Sequence, residues 1–352
     1  MTHSLEEKSP SAAVDLRGRS EFGFISALRG ELSFLRTQVR EQLERAGALD
    51  GPFVSIEHLR TLTDAALQDS RELSVIGETL HWSRAVTTPR AVAAFERSRD
   101  ALEPLATWEG PPPLDGINDS VPGYWDYEFH GTTGGWDGHE HMGFIHFEIV
   151  YQLLLANAYG DIFATRGVVA AEAPSDSYSR IVDLGAGTGQ YSMKLAETYP
   201  DAQLTLVDIS ETSLNYALRR AANAGLRWDA VRAPAESTGL ASGEFDLVTS
   251  FILLHEVPPP VAGKIFEEAY RLLQPGGHLH FSDVTPYRVR SRYQAWLDDW
   301  DAEIGNEPWW RSAATLDLVE LAESAGFVDV QQRGLGSDSY PWVTTATKPG
   351  RA

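Results

Sequence analysis

Apolar positions in the first half of the chain recur at helical spacing. From Glu21 to Ala48 they fall at Phe24, Ile25, Leu28, Leu32, Leu35, Val39 and Leu43, three and four apart, which predicts one long amphipathic helix. Segments 55–69 and 88–106 are predicted helical for the same reason. Residues 1–20, rich in Ser, Glu and Arg with few large apolar side chains, are expected to stay disordered. Pro111-Pro112-Pro113 and Asp115-Gly116 mark a break, and a last helix is predicted from about His146 to Arg166, with Ile149, Val150, Leu153, Leu154 and Ala158 toward a core.

After about residue 175 the pattern changes to short apolar runs alternating with helical stretches. Ile181–Leu184, Leu204–Asp208, a third run ending near Arg232, Phe245–Phe251 and His278–Asp283 read as strands. Residues 261–273 read as a helix through Ile265, Phe266, Ala269, Leu272 and Leu273, stopped by Gln274-Pro275-Gly276-Gly277. A helix over 316–326, a strand from Phe327 and a strand over 343–347 close the chain. Such alternation predicts an α/β fold: a doubly wound, mostly parallel sheet with its ligands at the strand carboxyl ends. The expected organisation is a tail to residue 20, an all-α domain over 21–122, a linking segment over 123–174 and the sheet domain over 175–348.

The first strand of that domain runs into Asp183-Leu184-Gly185-Ala186-Gly187-Thr188-Gly189. Three glycines at alternate positions permit a turn too tight for side chains and let backbone approach a ligand closely. Asp208 ends the next strand, where a carboxylate can accept the hydroxyl protons of a ribose. Asp183, two residues before the first glycine, would repel a pyrophosphate and suits a cationic ligand.

On these residues the chain resembles the class I S-adenosylmethionine-dependent methyltransferases, whose first motif is D/E-x-G-x-G-x-G. The resemblance covers about 175–348. It implies S-adenosylmethionine as cofactor, bound by Asp183, Gly185, Ala186, Gly187, Gly189, Asp208, Ile209, Ser250 and Phe251. Many relatives also place an Asp after the third strand for the adenine amino group. Pro234 stands there in this chain and has no side-chain acceptor, so Glu236, two residues on, is expected to take over. His255-Glu256, after the fourth strand, resembles the acid-base pair of small-molecule O-methyltransferases. The pair implies His255 as general base and Glu256 as its catalytic neighbour.

Residues 123–146 hold four of the ten histidines among glycines and aromatic rings, a composition poor for a core and suited to a lid. Tyr124, Trp125, Trp136, His139, His141 and His146 are therefore expected at the substrate, together with Tyr287, Arg288 and Trp296 from an aromatic and basic insertion. An arginine there would pair with a carboxylate on the acceptor. The alternative for the histidine-rich loop is a conventionally packed one. His139-x-His141 has metal-ligand types, but spacing alone does not make the nitrogens converge, and no metal is expected. The helical domain has two compatible roles, a homodimer surface and a cap over the site.

Composition narrows the partners. A net charge of −21 opposes binding to nucleic acid, and the absence of cysteine excludes disulfides, thiolate metal sites and a cysteine nucleophile. No apolar run reaches membrane-spanning length, and no signal-peptide core opens the chain, so a cytoplasmic enzyme is expected. The expected function is methyl transfer to a small, aromatic or carboxylate-bearing acceptor in biosynthesis. Two other readings remain: a rearrangement or cyclisation on the same fold, and a non-catalytic cofactor-binding partner.

Overall fold

The computed structural model describes residues 10–116, 121–156 and 161–350. Among these residues eight strands form one sheet: β1 (Leu114–Asp115), β2 (Arg180–Leu184), β3 (Gln203–Asp208), β4 (Asp229–Arg232), β5 (Phe245–Phe251), β6 (Leu273–Asp283), β7 (Val328–Gly334) and β8 (Trp342–Thr347). Their order is β1-β4-β3-β2-β5-β6-β8-β7. The pairs from β1 to β6 are parallel, and β8 runs antiparallel to both β6 and β7. The chain leaves β2 toward β3 on one side and returns beside it as β5 on the other. The order reverses at β2, and ligands of such sheets bind outside the strand ends at that place.

Both faces of the sheet are covered, which is why its central strands are apolar almost throughout. Val182, Leu184 and Val248 pack against Ile265, Phe266, Ala269 and Leu318 on one face. Ile181, Leu206 and Leu247 pack against Val169, Leu195, Leu214 and Ala217 on the other.

The helical half comprises α1 (Leu16–Arg45), α2 (Ile56–Leu67), α3 (Arg71–Arg97) and α4 (Arg99–Ala106). Its boundaries correct three expectations. Residues 10–20 are ordered rather than part of a tail, because Asp15 caps α1 by accepting from Gly18 N–H and pairs with Arg97 at 2.7 Å, while Val14 is buried beside Ala91 and Ala94. Residues 1–9 of that expected tail lie outside the described residues. The helix predicted over 88–106 begins instead at Arg71 and is interrupted at Ser98. Its first turns were hidden because Ser83, Thr87 and Thr88 break the apolar stripe that Ile76 and Leu80 begin. Third, the described part of the helix predicted over 146–166 falls in two elements. Ile145–Leu155 bonds at i→i+5, ending with Ala156 N–H on Tyr151 C=O, and α5 (Ile162–Ala170) restarts from its own cap, Asp161. Residues 157–160 of that expectation lie outside the described ones.

On the sheet's flanks stand α6 (Gln190–Thr198), α7 (Glu211–Asn223), α8 (Pro259–Leu272) and, near the end, α11 (Leu318–Ala325). Between β6 and α11 the insertion forms α9 (Arg292–Gly305) and α10 (Trp310–Ala313). This insertion joins the helical half. Trp296 and Trp300 are buried with Ile76, Leu80 and Leu59, and Arg36 holds both oxygens of Asp301 at 2.9 Å. The helical half and the insertion together roof the carboxyl ends of the strands. Among the described residues no helix is long and apolar enough to cross a membrane.

Candidate functional site

A cavity of about 520 Å³ opens where the sheet order reverses. Its floor is the glycine turn after β2. Gly185, Gly187 and Gly189 have φ of +71°, +53° and +74°, the region that side chains disfavour, and a Cβ on Gly187 would project into open space. Asp183 is buried beneath it. One carboxylate oxygen accepts from Ser192 Oγ at 2.6 Å, whereas Oδ1 has no hydrogen-bond partner among the described residues. Burial, only partly offset by Ser192, pushes this carboxyl up to about 7. Such an oxygen is costly unless something cationic or hydrogen-bonding meets it.

Asp208, at the end of β3, is pinned by backbone: Gly187 N–H donates to one oxygen and Ser210 N–H to the other, each at 2.8 Å. Burial pushes it up to about 6 against those two hydrogen bonds. Ala186, Ile209, Ala233 and Phe251 complete this part of the wall, and the Arg166 guanidinium stacks on Phe251 at 4.5 Å.

On the far side, His255 sits in a short helical turn after β5, nearly buried. Its Nδ1–H donates to Asp283 Oδ1 at 2.9 Å, and Asp283 is itself held by Leu254 N–H and Val284 N–H. Nε2 is thereby the basic nitrogen. Burial pulls the imidazole down, but the charge and hydrogen bond of Asp283 prevail, and it lies above the ordinary histidine value. Trp310 meets the ring edge-on at 5.1 Å.

The loop before Ile145–Leu155 closes the front with Tyr124, Trp125, Phe129, His130 and Trp136 on the wall. His130 bridges Glu256, at 3.3 Å, and Glu307, and despite its desolvation these carboxylates hold it up to about 10. His146 is pushed the other way, to about 3, by burial and by the charge on His130, and packs edge-on to Trp136 at 4.6 Å. The roof supplies Arg29, Arg84, Thr87 and Thr88.

Residues 181–277 match the family described as a methyltransferase domain. A ubiquinone/menaquinone biosynthesis C-methyltransferase of Desulfotalea psychrophila is 34% identical over 121 residues, 34% of this chain and 48% of that protein. A malonyl-[acyl-carrier protein] O-methyltransferase of Hahella chejuensis is 34% identical over 116 residues, 33% of this chain and 40% of that one. The chain thus spans less than half the length of these curated relatives. A solved structure from Nostoc punctiforme, provisionally assigned as an O-methyltransferase, covers 93% of this chain and 98% of its own with a TM-score of 0.50 at 14% identity, a likeness of fold alone. Over residues 181–277 the chain carries a methyltransferase domain.

Gly185, Ala186 and Gly187 of the turn, with Asp183, Asp208, Ile209, Phe251, His255, Glu256, Tyr124, Trp125, Trp136 and His146, all reach one cavity, whereas Gly189 is off its wall, packed close to Trp228 and Ala217. Other expected residues do not. Ser250 Oγ donates to Leu184 C=O at 2.8 Å and ties β5 to β2. Glu236 is off the wall, its carboxylate held by the Tyr124 hydroxyl. Glu256 does not orient His255; Asp283 does, because it ends the neighbouring strand at the height of the imidazole. His139 and His141 bond to Glu96 and Glu103 on the outer side of α3 and α4. Glu103, Glu140 and His141 bring ligand atoms within 4.8 Å of one another, but Arg99 already pairs with both carboxylates.

The insertion also departs from expectation. Tyr287 donates to Asp299 at 2.9 Å, Trp296 is core, and Arg288 points to Gln332 on β7. They are drawn away because the insertion packs on α2 and α3. Arg29, Arg84, Arg166 and Tyr340 take places on the wall that sequence reasoning missed. Asp283 carried the same signal as Asp208, an acidic residue ending a strand.

Proposed function

We propose that the methyltransferase domain transfers the methyl group of S-adenosylmethionine to a hydroxyl of a small-molecule acceptor, with His255 as general base. The observation that supports this reading best is the convergence on one cavity of the unpartnered Asp183 Oδ1 and the His255–Asp283 pair. The donor set fits the cofactor. Asp183 offers a buried carboxylate to an ammonium, Asp208 stands where a ribose edge would lie, and the glycine turn leaves open space instead of a Cβ. When bound, S-adenosylmethionine supplies an electrophilic methyl carbon on a sulfonium, whose C–S bonding pair remains with the sulfur.

The protein's own part is placement, proton removal and exclusion of water. His255 Nε2 takes the acceptor's hydroxyl proton as its oxygen forms the new C–O bond, and Asp283 stabilises the imidazolium. The lid and roof keep water from the reacting atoms. A base must be neutral to act, and Asp283 raises the histidine pKa, so turnover should fall as pH drops through a value above the ordinary 6.5.

His255→Ala should lower kcat by about 10²–10⁴-fold with cofactor affinity nearly unchanged. The alkaline-rising limb should vanish with it. Retention of the parent's turnover and pH profile would remove His255 from the chemistry. A product of unchanged mass would instead favour rearrangement on the same fold.

A further inference from the structure

The cavity runs along the ends of three neighbouring strands, and its carboxylates fix the order in which the parts of the cofactor lie on them. Asp183, near the end of β2, is the place for the ammonium, and Asp208, at the end of β3, the place for the ribose edge. β4 stands beside β3 on the side away from β2. A ligand that reaches from Asp183 past Asp208 therefore carries its base over the end of β4, where Ala233 and Ala235 are on the wall. The acidic side chain expected to meet that base is already engaged. Pro234 has no side-chain acceptor, and both carboxylate oxygens of Glu236 lie 2.8 Å from the Tyr124 hydroxyl, which donates to them.

Tyr124 belongs to the loop that closes the front. Burial and the charge of Glu236 keep its phenol protonated, and the charge of Asp208 reaches it as well. The ring packs with the cluster that contains Ala233 and Ala235, meets Trp309 edge-on at 6.2 Å, and lines the cavity. Held by its hydroxyl and by Trp309, it gives up little further freedom when a flat ligand stacks on it. Stacking needs no particular pattern of donors and acceptors on a base, which suits a place where the side-chain acceptor is taken. We infer that Tyr124 covers the adenine of S-adenosylmethionine, and that Glu236 serves the cofactor only by holding Tyr124 in place. The loop over 121–141 thus closes on the nucleoside end of the cofactor. This rests on the cofactor assignment and on neither His255 nor the identity of the acceptor.

The test is calorimetric binding of S-adenosylhomocysteine and of 5′-methylthioadenosine, which carries the base and ribose without the amino acid, so that no turnover is read. Tyr124→Ala should weaken both by about tenfold or more, the order of loss when a base is deprived of its aromatic partner. Tyr124→Phe keeps the ring and gives up its fastening, and should weaken both by about threefold. Glu236→Ala should match Tyr124→Phe in the parent background and add nothing in Tyr124→Ala. In limited proteolysis, 5′-methylthioadenosine should slow cleavage at Gly134-Gly135 in the parent and not in Tyr124→Ala. Binding of both probes by a folded Tyr124→Ala within about twofold of the parent would overturn the inference. So would a loss from Glu236→Ala that persists in Tyr124→Ala, because Glu236 would then meet the base itself. If the alanine variant does not fold, Tyr124→Phe decides, and binding as tight as the parent's or tighter would overturn the inference in the same way. Failure of the parent to bind S-adenosylhomocysteine would instead sink the cofactor assignment on which the inference rests.

Discussion

At the scale of single residues, Asp183 shows function and stability opposed. Its carboxyl is buried with one oxygen unpartnered and its pKa rises from 3.8 to about 7. A carboxyl raised in the folded state contributes stability that is complete below its unfolded value and is lost as pH climbs through the folded one. Above pH 7 the ligand-free protein therefore carries a penalty, up to about 4 kcal/mol for three units at 1.36 kcal/mol each. Asp183→Asn should raise the ligand-free melting temperature at pH 8 and make it less dependent on pH between 4 and 8. The same change should weaken S-adenosylhomocysteine by about 10–100-fold, since a charge-assisted hydrogen bond contributes about 1.5–3 kcal/mol. Stability and affinity moving the same way would mean that Asp183 is a structural group. Asp183 was legible in the sequence because all its chemistry is local, a carboxylate two residues before a glycine turn. Arg29 and Arg84 were not, because arginines on long helices are ordinary and only tertiary packing aims these two inward.

Among elements, the glycine and aromatic composition of the loop over 121–141 was legible, but its fastenings were not. His130, Gly131, Gly134 and Gly135 all have positive φ, so the loop turns repeatedly and forms no core of its own. One part is tied to the insertion: Tyr127 donates to Asn306 at 2.6 Å, Asn306 donates back to Glu128 C=O at 2.7 Å, and Trp309 packs against Tyr124, Tyr127 and Phe129. The other part is tied to the start of α7, where Asp137 accepts from Ser210 Oγ at 2.7 Å and from Thr212 Oγ1 at 2.9 Å. Partners about 75 and 180 positions away along the chain leave no local pattern to read. At about 0.5–1.5 kcal/mol per hydrogen bond, Asp137→Ala should ease opening enough to speed proteolysis at Gly134-Gly135 by about tenfold. Cofactor and acceptor should slow cleavage in the parent. Equal rates in parent and variant, with and without ligands, would make the loop a fixed wall.

Across the whole molecule, the two halves read from the sequence share their cores. Tyr216 of α7 is buried among Phe144, Phe147 and Ile149 with the α1 and α3 residues Phe22 and Phe95, and Val284, Tyr287, Trp296 and Trp300 are buried among Leu32, Ile56, Ile76 and Leu80. Arg60 reaches Asp299 at 2.8 Å to bind α2 to α9. Sequence alternation distinguished helical from α/β segments but could not show that the insertion after β6 would leave the sheet and become part of the roof. Five large side chains of the sheet-bearing half thus depend on the helical half for their burial. At about 1.5–3 kcal/mol each they represent about 8–15 kcal/mol, as much as the entire stability of an ordinary domain. The chain should therefore melt in one calorimetric transition, with van't Hoff and calorimetric enthalpies in agreement. A fragment over 175–350 should lack a cooperative transition and bind a hydrophobic dye, because Val284, Tyr287, Trp296 and Tyr216 would face water. Two separate transitions in the full chain, or a fragment that melts cooperatively near the parent's temperature, would show that the halves are independent and that the roof is only docked on the site.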